Sequence, residues 1–313
     1  MSVRIIMKLL VENREQLDHD LVRIAFRHPI RPQLPIWTPG AHVDVRLGDG
    51  KIRQYSLTSD PSDLSRYAII VKRERDGRGG SDFIHEFFTE GTHVRVSMPR
   101  NNFKLAKGRG VLIAGGIGVT PLISMGRALS QSKMLESFHF CSKTSRPSIE
   151  GELSQFCGDS LSTYFSSDSD SQRLNVASVI ENVSSDLHIY CCGPERLMSE
   201  VKYLTSDWNP DQLHFEAFNA SEDQSQKAEP FDVTVSSTGE TLRVSESQSI
   251  LDVLRVAGYV IPSSCRQGIC GTCECGYTSG EVIHRDSILS PDARQDRMML
   301  CVSRARVSVI LDL

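Results

Sequence analysis

The stretch SSCRQGICGTC (263–273) decides how the chain is read. It sets Cys265, Cys270 and Cys273 at C-x4-C-x2-C spacing, and Cys301 in MMLCVSRA follows after 27 intervening residues. Three close thiols and a remote fourth form the ligand pattern of a [2Fe–2S] centre, in which four thiolates hold two irons. Gly268 and Gly271 permit the close backbone approach such a loop needs, with N–H groups turned toward sulfur. A zinc site with four cysteine ligands is the alternative, although it usually shows two C-x2-C knuckles. Cys275 lies two residues past Cys273, points the same way on an extended segment, and is read as a bystander. The nine cysteines are an odd number and include the adjacent Cys191 and Cys192, which fits metal ligation in a reducing compartment better than a disulfide framework. Cys141 and Cys157 are given no chemistry.

Around this loop, FDVTVSS (231–237) and ETLRVSE (240–246) read as a hairpin. SQSILDVLRVAGY (247–259) reads as a helix with Ile250, Leu251, Leu254 and Ala257 on one face and Gly258 as its stop. The result is a small α+β unit. Before it, NASEDQSQKAEP (219–230) has almost no large apolar residue and reads as a linker. Further upstream, VLIAGG (111–116) precedes the helical TPLISMGRALSQ (120–131), LESFHFCSK (135–143) follows, and LHIYCCGP (187–194) precedes the helical ERLMSEVKYL (195–204). Strands alternating with helices predict a parallel sheet covered on both faces. The serine-rich SLSTYFSSDSDSQ (160–172) reads as a solvated loop.

The first hundred residues follow a third pattern. LVRIAF (21–26), HVDVRL (42–47), RQYSLT (53–58), YAIIVKR (67–73) and HVRVSM (93–98) are short β-branched runs punctuated by Gly, Pro and Asp, with one helical insert near 81–88. They predict a small antiparallel barrel or sandwich. With 313 residues, 39% hydrophobic and 24% charged, the chain has the composition of an ordinary globular protein of two or three domains. Its net charge of −4 argues against nucleic acid or anionic lipid as a partner. Basic residues outnumber acidic ones 17 to 13 over 1–104, but are outnumbered 10 to 16 over 105–230 and 8 to 10 over 231–313. The apolar stretch 111–123 is too short and too interrupted to span a bilayer, and the first ten residues lack a secretory pattern, so a cytoplasmic protein is expected.

Two groups of residues point to cofactors. In RQYSL (53–57), Arg53 offers a bidentate cation for phosphate, Tyr55 a ring to lie against a flavin, and Ser56 a hydroxyl for its redox-active edge. In GRGGSDFIHEFF (77–88), Gly79, Gly80 and Ser81 precede a helix whose free N–H groups attract phosphate. GGIGVTP (115–121) and CCGPERLM (191–198) each end a strand and open a helix, so both turns belong at the carboxyl edge of one sheet, where nucleotides bind. The first departs from GxGxxG, and a tight turn serving packing alone would look the same. Taken singly, RQYSL also fits a plain strand with exposed Arg and Tyr, GGS a helix-capping turn, and Cys192 an interior thiol at a strand end.

The order RQYSL, GGS, GGIGVTP, CGPERLM and C-x4-C-x2-C resembles the phthalate dioxygenase reductase family, which includes vanillate demethylase reductases, over nearly the whole chain. The resemblance implies an FMN-binding six-stranded β-barrel over 1–104, an α/β NAD(P)H-binding domain over 105–222, a linker over 223–230, and a β-grasp domain of plant-type [2Fe–2S] ferredoxin form over 231–313. On that likeness Arg53, Tyr55, Ser56, Gly79, Gly80 and Ser81 contact flavin. Gly115, Gly116, Thr120, Cys192, Gly193 and Pro194 hold the nicotinamide nucleotide, and Cys265, Cys270, Cys273 and Cys301 hold the cluster. FEAF (215–218) resembles the segment that closes the nucleotide domain beside the flavin, which makes Phe218 a candidate ring neighbour. The implied function is an NAD(P)H-dependent reductase, monomeric by itself, that passes electrons through flavin and cluster, one at a time, to a Rieske-type terminal oxygenase. No side-chain acid or base is assigned. FMN is expected over FAD because GRGGS resembles the family's FMN-phosphate segment. NADH is expected over NADPH on the same likeness, although FHFCSKTSRPS (138–148) offers Lys143 and Arg146 and no acid for a ribose hydroxyl. A free ferredoxin or haem protein as acceptor, and a non-catalytic redox-sensing or zinc-stabilised module, are the alternatives.

Overall fold

A computed structural model describes residues 5–48, 50–74, 77, 79–167, 173–184, 186–218, 229–263 and 265–313. Residues 219–228 of the expected linker, 168–172 of the serine-rich stretch, Arg78 and Ser264 lie outside the described residues. The chain forms two units, Met1–Glu216 and Ala217–Leu313.

The first unit begins with an antiparallel, barrel-like sheet of β1 (Ile6–Asp18), β2 (Leu21–Arg27), β3 (His42–Arg46), β4 (Ile52–Ser56), β5 (Tyr67–Lys72) and β6 (His93–Ser97), in the order β4-β3-β6-β1-β2-β5. Thr58, just past β4, donates through its N–H to the Ala68 carbonyl of β5 at 2.8 Å and draws the two edges together. Val22, Ile24, Val43, Val45, Leu57, Ile69 and Val96 fill the core from alternate positions, as half-buried strands require. β1 was not among the runs singled out above. Its alternation is broken by register shifts between Val11 and Asn13 and between Gln16 and Asp18, so period 2 fails in the sequence while the strand persists. α1 (Gly80–Phe87) is the expected helical insert.

The same unit continues into a parallel sheet of β7 (Gly110–Gly115), β8 (Leu135–Ser142), β9 (Leu161–Phe165), β10 (His188–Cys192) and β11 (Leu213–Glu216), in the order β11-β10-β7-β8-β9. Helices α2 (Val119–Gln131), α3 (Pro147–Cys157), α4 (Val176–Glu181) and α5 (Glu195–Leu204) connect the strands. The strand order reverses between β7 and β10, which creates the crevice where open α/β sheets take ligands. One expectation is corrected here: LSTYF, read as part of a solvated loop, is the edge strand β9, paired in parallel with β8 from Phe138 to Ser142. Its serine content hid a strand whose side chains are only half-buried because it lies at the edge. Within this unit the two sheets are tied by ion pairs. Arg146, at the start of α3, grips Asp18 and Asp20 beside β1, and Glu152 of α3 binds both Arg23 of β2 and Arg127 of α2.

The second unit is a mixed sheet of β12 (Phe231–Val235), β13 (Thr241–Val244), β14 (Glu274–Ile283), β15 (Arg297–Met299) and β16 (Arg304–Asp312), in the order β13-β12-β16-β14-β15, with β12 and β16 parallel. α6 (Ile250–Val256) packs Ile250, Leu251 and Leu254 into the core. Ser249 caps it, accepting from the Asp252 N–H at 3.1 Å. Ala257, expected on the same apolar face, lies past the last turn and is exposed. Buried Arg304 sets its guanidinium 4.8 Å over the Phe231 ring and donates to the carbonyls of Gln248, Glu229 and Ser245. A cation so placed pins the Ser245–Gln248 turn and the segment before β12 to one strand. Among the described residues no helix is long and apolar enough to cross a membrane.

Candidate redox-cofactor sites

β4 delivers Arg53, Tyr55 and Ser56, and the structure brings Arg53 to Gly80. A Cβ on Gly80 would lie 2.5 Å from Arg53 Nε and 2.9 Å from its Cγ, so only glycine lets the arginine lie across the start of α1. Gly79 holds the left-handed conformation at φ 75°, and no side chain caps the helix. Ser81 accepts from the Glu74 N–H at 3.0 Å, leaving the first-turn N–H groups of α1 beside a guanidinium. This is an anion-binding arrangement. The Tyr55 phenol is kept neutral by burial, which pushes its pKa up. Ser56 is buried at the end of β4.

At the parallel sheet's carboxyl edge the two glycine turns interlock. A Cβ on Gly115 would meet Pro194 Cδ at 2.5 Å, one on Gly118 would meet the Cys192 oxygen at 2.3 Å, and one on Gly193 would meet Gly115 Cα at 2.8 Å. Gly116 takes φ 56°. A cavity of about 560 Å³ opens over these turns, lined by Gly115, Gly116, Pro194, Lys143, Arg173, Arg196 and Glu200 among others. A second of about 280 Å³ shares Gly116 and Lys143 and reaches Lys72 of the antiparallel sheet. Thr120 spends its hydroxyl on the Ile117 carbonyl at 3.0 Å, inside the turn. Cys192 is fully buried, and burial holds its thiol neutral. Phe218 follows β11 but falls beyond the division between the two units.

The sequence reading did not single out Glu216. It pairs in register with Cys192 across β11 and β10, its Oε2 is closed to solvent without a partner, and burial raises its carboxyl from 4.5 to about 8. A carboxylic acid kept protonated near neutrality at a ligand crevice is a functional signal. FEAF drew notice for its aromatics, and only the strand register reveals the acid between them.

In the second unit the four predicted cysteines form two hydrogen-bonded pairs, Cys265 with Cys270 and Cys273 with Cys301. Within each pair the hydrogen bond lowers one thiol, Cys270 or Cys273, and raises its partner. The Gln267 N–H donates to Cys265 Sγ at 3.3 Å, and the Thr272 hydroxyl lies 3.2 Å from Cys270 Sγ. Gly268 and Gly271 both take φ 70°, and a Cβ on Gly268 would strike Val302 at 2.6 Å. Two thiol pairs ringed by backbone and hydroxyl donors fit two irons held by two sulfurs each. Cys275 instead sits in the core, donates to its neighbour's Gly276 carbonyl at 3.2 Å, and has its thiol raised to about 11 by burial.

A flavin-type barrel, a nucleotide sheet and a tetrathiolate unit on one chain define a flavin iron–sulfur oxidoreductase. Known proteins agree. A family model described as an oxidoreductase FAD-binding domain matches residues 8–105, and one described as a 2Fe-2S iron-sulfur cluster binding domain matches residues 233–306. The chain is 37% identical to the phthalate 4,5-dioxygenase oxygenase reductase subunit of Pseudomonas putida, over 97% of this chain and 96% of that protein. It superposes on the solved phthalate dioxygenase reductase, a modular structure for electron transfer from pyridine nucleotides to [2Fe–2S], with TM-score 0.75, 34% identity and 98% of each chain covered. Against an intact type IV self-sufficient cytochrome P450 monooxygenase the TM-score is 0.83 at 35% identity, covering 99% of this chain and 41% of that one. The chain belongs to the phthalate dioxygenase reductase family.

Proposed function

We propose that the chain is the reductase component of an oxygenase system, drawing electrons from NADH through FMN and a [2Fe–2S] cluster to a Rieske-type terminal oxygenase. One observation carries this reading: a single chain holds both an anion cradle on a flavin-type barrel, Arg53 against Gly80, and four thiols gathered in two pairs, three of them buried. When bound, flavin supplies the exchange between a two-electron donor and a one-electron acceptor. The uncapped start of α1 and Arg53 would hold a terminal phosphate monoester, which favours FMN. Gly79, Gly80 and Ser81 shape that cradle, Tyr55 lies along the ring, and Ser56 offers it a hydrogen bond.

Gly115, Gly116, Thr120, Cys192, Gly193 and Pro194 would seat the nicotinamide nucleotide at the crevice, with Lys143, Arg173 and Arg196 facing its phosphates. Glu200, the one acid among the described residues lining that cavity, would accept from a ribose hydroxyl and repel a 2′-phosphate, which favours NADH. Phe218 is proposed as the ring neighbour. The functional divisions are proposed at 1–104, 105–222, 223–230 and 231–313, supported by the gap between β6 and β7 and by the polar stretch before β12. Nine cysteines free of disulfides support a cytoplasmic protein, and we propose that it works as a monomer.

Stopped-flow mixing of the purified holoprotein with NADH tests the proposal. Flavin bleaching followed by cluster reduction is expected, and the absence of either, or a large advantage of NADPH, overturns the corresponding part. The likeness to part of a self-sufficient cytochrome P450 favours a second reading, a haem protein as acceptor. Reconstitution with a Rieske oxygenase and with a haem acceptor separates the two.

A further inference from the structure

Asp286 lies in the loop that follows β14, and its side chain is wholly closed to solvent. That loop is laid over the cysteine loop. The Ser287 N–H donates to the Gly268 carbonyl at 3.2 Å. A Cβ on Gly268 would stand 3.1 Å from Asp286 Cα and 3.3 Å from its Cβ, and one on Gly271 would stand 3.6 Å from Ile288 Cδ1. Gly268 turns its own N–H to the sulfur of Cys301. One residue therefore stands between a buried carboxylate and a cysteine proposed as a ligand. The carboxylate is held at Oδ2 by the Leu289 N–H at 3.0 Å and by Arg294 Nη2 at 3.5 Å, and the same Nη2 donates to the Asp286 carbonyl at 2.6 Å. Oδ1 has no hydrogen-bond partner: His284 Nδ1 stands 3.5 Å away without bonding, and its Nε2 donates to the Arg294 carbonyl at 3.1 Å. A buried ion pair with one oxygen left bare adds little to stability, and apolar residues of like size often serve a fold as well. Its position over the cysteine loop supplies a different reason for it.

Resting on the cluster reading above, we infer that Asp286 is a positioning residue of that site: it straps residues 286–288 over Gly268 and Gly271, and it fixes a negative charge beside the cysteines that Arg294 partly offsets. In a buried site of low dielectric such a charge acts over a longer range than it would in water. Asp286 opposes the arrival of an electron, and Arg294 favours it. The two halves of one ion pair thus act on the reduction potential with opposite sign, whereas both serve the shape of the loop in the same sense. Net charge and hydrogen bonds to the sulfurs are what set the potentials of such centres. Asp286 supplies the first through Gly268, the residue that supplies one of the second.

The test uses the full-length holoprotein and the variants Asp286→Asn, Arg294→Gln and Arg294→Lys, with the cluster potential read by spectroelectrochemical titration and iron measured on the same samples. Asparagine keeps the shape and drops the charge, so the potential is expected to rise by ~59 mV, a tenfold gain in the equilibrium constant for one electron. Arg294→Gln is expected to lower it by ~28 mV, about threefold, because the partly exposed guanidinium is screened by solvent. Arg294→Lys is expected to stay with the unmutated protein, and all three are expected to keep its iron content. Unmoved potentials overturn the inference. So do shifts of the same sign in Asp286→Asn and Arg294→Gln, which is what a merely loosened loop would give. Should Asp286→Asn fail to fold, the Arg294 variants decide, since that side chain is 37% exposed and its loss is tolerated more readily: a glutamine variant without the fall, or a lysine variant that shares it, overturns the assignment. If the unmutated chain takes up no iron and sulfide, the cluster reading falls and this inference with it. If it takes them up and the variants leave the potential where it was, only the inference falls.

Discussion

Gly118→Ala is the sharpest probe of how the nucleotide crevice is built. Gly118 sits at φ −61°, ψ −8°, a conformation alanine adopts without strain, so any effect must come from space. The new methyl would lie 2.3 Å from the Cys192 oxygen, 2.5 Å from its carbonyl carbon and 2.7 Å from the Gly193 nitrogen. All three are backbone atoms that cannot swing aside as a side-chain tip can. Ordinary contact begins at 3.4 Å, so the turn after β7 and the turn after β10 must part by about 1 Å. Overpacking of this kind costs ~1–3 kcal/mol. For a unit of this size ~2 kcal/mol lowers the melting temperature by about 4–8 °C. A displacement of ~1 Å at a site that aligns reacting groups costs up to ~100-fold in rate. Calorimetry and stopped-flow flavin bleaching by NADH should therefore both move, while the cluster's visible spectrum stays as it was. Gly151→Ala is the control: its methyl meets nothing within 4 Å inside α3, so ~0.5–1 kcal/mol of stabilisation and unchanged bleaching are expected. A Gly118→Ala protein with the parent melting temperature and bleaching rate would refute the interlocked-turn account.

Cys301→Ser should lose the cluster's visible absorption and its iron, whereas Cys275→Ser should retain both; an iron-depleted Cys275→Ser would make the bystander a ligand. Arg53→Ala should weaken FMN binding by ~10- to 100-fold, the worth of one charge-assisted hydrogen bond, measured by flavin fluorescence on titrating the apoprotein. Glu216 contributes a pH dependence of definite sign. Its folded carboxyl is raised from 4.5 to about 8, so its stabilising share is complete below 4.5 and is lost as pH climbs through 8. Across that window the parent should lose roughly 2–4 kcal/mol that Glu216→Gln does not, read as the difference between their denaturation midpoints at pH 5 and pH 9. Parallel pH curves for the two proteins would show that Glu216 is not the titrating group.

What the sequence disclosed and what it hid follow from how local each signal is. The cluster loop is local: three of the cysteines proposed as ligands fall within nine residues, and spacing alone nearly dictates the geometry their thiols reach. Helices α5 and α6 were equally legible, because apolar spacing, and for α6 the Ser249 cap, act within a few turns. β1 and β9 escaped for opposite reasons, one because bulges break its alternation and the other because an edge strand need not be apolar. Glu216 was invisible because its meaning is relational. An acid beside Cys192 exists only once β10 and β11 are in register, and the two residues are separated by a helix along the chain.

The same reasoning explains why GGIGVTP lacks the usual dinucleotide fingerprint. In that fingerprint each glycine answers to something near it: the tight turn, the pyrophosphate, the helix packed on the strand. Here much of the demand comes from a second turn far along the chain. Gly115 is held to glycine by Pro194, Gly118 by the Cys192 carbonyl, and Gly193 in return by Gly115. Gly116, at φ 56° with nothing within 4 Å of where its Cβ would stand, is the position free to meet a ligand. The glycine requirement is thus shared between two strand ends that adjoin where the sheet order reverses, so the signature is written across β7 and β10 together and cannot be read from either turn alone.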